Sequence, residues 1–66
     1  MPQSPTVVEL TAAADALRQA EGLAVRVRGV FRAAGDYATA ARLGDIAVRL
    51  ADEVTAIERT IAAAKP

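Results

Sequence analysis

Carboxylates are the only side chains in this 66-residue chain that can exchange protons near neutral pH. They are Glu9, Asp15, Glu21, Asp36, Asp45, Asp52, Glu53 and Glu58. A general acid–base pair needs two of them in a shielded pocket, with pKa values driven apart by burial or like charge. The spacing points elsewhere. Asp45 and Asp52 fall on one outward stripe of a helix, with Arg42 and Arg49 three residues before them and Arg49 four after Asp45. Charges at that spacing form solvated helix pairs. His and Cys are absent altogether. That excludes disulfides, imidazole and thiolate metal sites, Cys or His nucleophiles, and the Glu-x-x-His signature of di-metal bundles. Ser and Thr have no base to activate them, and the four glycines are dispersed and form no phosphate-binding loop. We therefore expect no catalytic, cofactor-binding or metal-ligating residue, and a protein that is not an enzyme.

Arginines are the second candidate chemistry. Arg26, Arg28, Arg32 and Arg42 gather toward one end of the architecture derived below, with only Glu21 and Asp36 opposing them nearby. A symmetric dimer would present this cluster twice, to nucleic acid or to an acidic protein. The formal net charge is zero, however, and one Phe and one Tyr are the whole aromatic inventory. Nucleic-acid binding through these arginines is thus the alternative to the main reading.

The elements that position these groups follow from hydrophobic periodicity. Leu10, Ala13, Leu17, Ala20, Ala24, Val27, Phe31 and Ala34 alternate spacings of three and four. Ala40, Leu43, Ala47, Leu50, Val54, Ile57, Ile61 and Ala64 do the same. Each run marks one stripe of a helix. The sequence predicts an all-α hairpin: an N-terminal extension at 1–5, a helix over 6–33, a turn at 34–36 and a helix over 37–64. Thr6 and Glu9 fit a capping box, with Ser4–Pro5 as a competing start. Gly35 supplies the left-handed stop and Asp36 the next cap. A turn this short forces antiparallel neighbours. Val25-Arg26-Val27-Arg28 alternates like a strand, but no other segment alternates to pair with it. Gly22 and Gly29 weaken the middle of the first helix, and a bend or break near Gly22 is the alternative to one continuous helix.

Two helices share a single seam, and much of this one is Ala. The missing burial is expected from another chain. With Leu10 and Ala40 at heptad position a, the two g stripes fall on the same side of an antiparallel pair. They carry Ala16, Leu23, Val30 and Ile46, which we take as the protein-interaction surface. The opposite flank, with Glu21, Arg28, Gly44, Ala51, Val25 and Val48, is the weaker one. Large and small residues alternate along both seams, as in Leu10 then Ala13, Leu17 then Ala20, and Leu43 then Ala47, which lets helices approach closely.

In that alternation, and in length, the chain resembles the Rop-type helical hairpin that dimerises into a four-helix bundle. The likeness is architectural, with no shared motif and no residue roles to transfer. Gly35-Asp36-Tyr37-Ala38-Thr39-Ala40, with Ala47, is similar to the second helix of a tetratricopeptide repeat. Phe31 and Val27 match the large positions of the repeat's preceding helix. Gly44 stands where that family has a large side chain, Arg28 where it has a small one, and Asp52 where it turns with Pro. The match covers half of the chain.

The expected function is therefore structural: an oligomerisation, adaptor or assembly hairpin whose partner is itself or another helical protein. No cofactor is expected. The first residues carry no targeting signal, no window is apolar enough to span a membrane, and the polar face mixes charge signs evenly, so a cytoplasmic setting without membrane binding is expected.

Overall fold

The computed structural model describes residues 4–64, so residues 1–3 of the expected N-terminal extension and the last two residues lie outside the described part. It is an antiparallel hairpin of two helices, α1 (Val7–Ala33) and α2 (Tyr37–Ala64), in a slab 49 × 22 × 14 Å. Thr6 is the N-cap of α1 in extended backbone, with φ −73° and ψ 164°, and the helix begins one residue later. The Glu9 N–H donates to Thr6 Oγ1 at 3.1 Å, and the Thr6 N–H donates back to Glu9 Oε1 at 3.1 Å. This reciprocal pair satisfies two amides that would otherwise lack partners. Ser4 and Pro5 stay outside the helix. α1 runs without interruption through Gly22 and Gly29, and Val25–Arg28 is helical.

The turn closes as a Schellman motif. The Asp36 N–H reaches Phe31 O at 2.9 Å and the Gly35 N–H reaches Arg32 O at 3.1 Å. That geometry needs a left-handed residue, and Gly35 has φ +85°. Asp36 then caps α2, accepting the Thr39 N–H on Oδ1 at 3.0 Å.

The seam differs from the expected one in α1. Its inward stripe is Leu10, Ala14, Leu17, Glu21, Ala24, Arg28 and Phe31, while Ala13, Val27 and Ala34 are exposed. Ala13 and Ala14 are chemically equal, so hydrophobicity could not choose between them, and Val27 outranks Arg28 on any hydropathy scale. The register is decided by fit across the hairpin. A Cβ on Gly44 would lie 3.5 Å from Arg28 Cδ, so the arginine stem fills the space left by the glycine. Long basic side chains bury their methylenes in this way and leave the head in water. The exchange of large for small that departs from the tetratricopeptide pattern is thus a matched pair across the hairpin. In α2 the stripe holds as expected from Ala40 to Ile61, and Ala64 is exposed. The fully buried core is small: Ala14, Ala40, Ala47 and Val54.

A Cβ at Gly22 or Gly29 would meet nothing within 4 Å. Each glycine costs a helix interior about 1 kcal/mol relative to Ala. Gly22→Ala and Gly29→Ala should therefore each raise the thermal midpoint by several degrees. Gly35→Ala, forced into positive φ, should lower it. Thermal scans by circular dichroism at one fixed protein concentration check all three.

Candidate functional site

The residues expected to meet a partner are exposed in the hairpin. Leu23 is 55% exposed, Val30 67% and Ile46 45%, and Ala16 is exposed beside them. The structure enlarges this surface. Ala13 and Val27, freed from the internal seam, join Ala16, Ala20, Leu23 and Val30 in a run of alternating three and four. α1 therefore carries two stripes: one packed on α2, buried at Ala14 and half-buried elsewhere with Glu21 and Arg28 among its members, and one apolar and open except at half-buried Ala20. Periodicity alone merged them, because consecutive alanines let one run borrow members of the other. α2 contributes Ile46 to the same side, in a shallow depression with Arg42, Asp45 and Arg49. Exposed aliphatic side chains in line, rimmed by charge, are the usual mark of a protein interface. The opposite flank exposes Val25 and Val48 next to half-buried Gly44 and Ala51.

The four arginines singled out from the sequence share the turn half of the hairpin but not one groove. Arg26 borders a depression on the outer face of α1 with Arg18, Gln19, Gly22 and Leu23. Arg28 lies half-buried over Gly44. Arg42 donates to Thr39 Oγ1 at 3.0 Å, and Arg32 is exposed in the last turn of α1.

The expected pairs of Asp45 and Asp52 with Arg42 and Arg49 are not among the ion pairs of the described residues. Those are both made by Arg18, to Asp15 at 2.7 Å and across the hairpin to Glu58 at 2.7 Å. Exposed pairs bring so little energy that spacing alone does not fix them. The cross-helix partner of Arg18 becomes visible only once the hairpin register is known.

Two carboxylates are tuned by caps. The Thr6 backbone N–H, and then its hydroxyl, hold Glu9 below the ordinary carboxylate range, and the Thr39 backbone N–H does the same for Asp36. A carboxylate whose pKa is lowered by folding adds stability above its unfolded value, and that stability is lost as pH falls through the folded one. The thermal midpoint should therefore fall as pH drops below about 4.5, the ordinary value for Glu. Glu9→Gln should flatten part of that dependence in a pH series of thermal scans. Thr6→Ala, which removes the cap hydroxyl, should cost about 1 kcal/mol at neutral pH.

Among the described residues no three carboxylates gather where a metal ion could sit, and no helix is long and apolar enough to cross a membrane. No family model, curated protein or solved structure matches this chain. Its functional reading therefore rests on the surface itself.

Proposed function

We propose that this chain is a non-enzymatic oligomerisation module, an assembly or adaptor hairpin that acts by burying one apolar flank against another helical layer. The observation that carries this reading is the mismatch between two surfaces. The enclosed core is three alanines and one valine, while Leu23, Val27, Val30 and Ile46 stand open in line on one side. A chain this short gains stability most directly by adding a second layer. A second copy completes a four-helix bundle, and burial of that flank is the mechanism by which the module would hold an assembly together. A cytoplasmic setting, or a particle assembled there, suits a chain that relies on helix packing with no disulfide.

Two variants separate this reading from nucleic-acid binding. Ile46→Asp should lower the solution mass measured by size exclusion with light scattering. Arg26→Gln combined with Arg32→Gln, both exposed and outside the seam, should leave that mass unchanged. If instead the arginine variant abolishes a measured retention on nucleic acid while Ile46→Asp leaves the mass untouched, the arginine reading replaces the structural one.

A further inference from the structure

We infer that the partner is a second copy of this hairpin lying antiparallel, with the turn of each against the open end of the other, and α1 packed on α1 about a two-fold axis near Ala20. The inference rests on the proposed self-association and fixes its geometry from two independent asymmetries along the 49 Å axis.

The first asymmetry is charge. Residues 20–50, the turn half, hold Arg26, Arg28, Arg32, Arg42 and Arg49 against Glu21, Asp36 and Asp45, a net +2. The remainder of the chain holds Arg18, Arg59 and Lys65 against five carboxylates, a net −2. The neutral whole is therefore a long dipole. Turn-to-turn stacking sets like charge on like, whereas the antiparallel arrangement sets each basic end beside an acidic one. Complementary potentials of this kind choose orientation.

The second asymmetry is side-chain size. The open stripe of α1 reads Ala13, Ala16, Ala20, then Leu23, Val27, Val30, small toward the open end and large toward the turn. Ala20 is the midpoint of Val7–Ala33. Reflected through it, Val27 comes level with the partner's Ala13, and Leu23 lies within one residue of the partner's Ala16, the nearest member of the open stripe. Large against small is how helices interdigitate at close range. On α2 the midpoint falls between Leu50 and Ala51. Reflected there, Ile46 comes level with the partner's Thr55, beside Ala56, and Arg49 with the partner's Asp52, beside Glu53, with the same pairs repeated by symmetry. A two-fold axis along the hairpin would instead lay the apolar stripe of α1 over Arg42, Arg49 and Glu53 of the other copy. The slab's broad face, 49 by 22 Å, is large enough for the burial of about 800 Å² per partner that stable pairs show.

The native chain has no cysteine, so engineered thiols report on geometry without background. Ala20→Cys should convert most of the protein to a covalent dimer on mild oxidation, or with a short bis-maleimide, because both thiols sit at the axis. A mixture of Ala13→Cys and Val27→Cys chains should yield the mixed dimer, and neither variant should link to itself. Val30→Cys should stay largely uncrosslinked. If light scattering shows a dimer but Ala20→Cys does not link and the mixture gives no mixed dimer, the antiparallel orientation is wrong and self-association stands. A monomeric native mass at every concentration overturns both.

Discussion

Leu23→Asp combined with Val30→Asp should turn the assembly into monomers. Each Leu buried at an interface contributes about 1.5–3 kcal/mol, and a two-fold interface loses every substitution twice. Because Leu23 is 55% exposed, about half of that is gained on association. Its loss alone would then weaken a dimer by at least about tenfold, and the added carboxylates resist burial further. The positions suit the test because both side chains are exposed in the isolated hairpin, at 55% and 67%, so the variant removes nothing from the chain's own core. Helicity should fall along with mass, because three buried alanines and a valine are left to hold the hairpin. Analytical ultracentrifugation and circular dichroism on the same samples read both effects. A double variant that keeps the native mass contradicts the assignment of this flank.

Ala47→Leu should be the most damaging single substitution that stays apolar. Ala47 is 6% exposed at the middle of the seam, and with Ala14 and Ala40 it allows the helices to approach closely. Three extra carbons have no space to enter, and overpacking of this kind costs about 1–3 kcal/mol. In a domain of this size that corresponds to a fall in thermal midpoint of roughly 10 °C. Ala41→Leu, with the same change in volume on an exposed position, should move the midpoint little. Both must be compared at one protein concentration, since association raises apparent stability. Equal effects from the two variants would mean that Ala47 does not set the helix separation.

Local chemistry made the hairpin legible in the sequence. Thr6 with Glu9 writes the start of α1, Gly35 its end and Asp36 the next start, and each interaction is completed within three residues of its origin or by backbone alone. The register of α1 was not legible, because it depends on what faces it. Arg28 enters the seam because Gly44 leaves room there, and Arg18 reaches Glu58 because folding brings them level. The open apolar flank was legible in part. Leu23, Val30, Ile46 and Ala16 stood out as apolar residues beyond the first seam. Ala13 and Val27 were hidden by their fit to the wrong stripe. Adjacent apolar positions on an Ala-rich helix satisfy two phases of one period at once, and only the opposing helix selects between them.

Dilution tests the central claim most directly. Light scattering on size-exclusion peaks, over a hundredfold range of concentration with circular dichroism of each peak, should show a helical species of twice the chain mass or more. On further dilution it should lose mass and helicity together, because the flank and the fold share the same burial. A chain that is monomeric and fully helical throughout would contradict the account: its open flank would then contribute nothing to holding it folded.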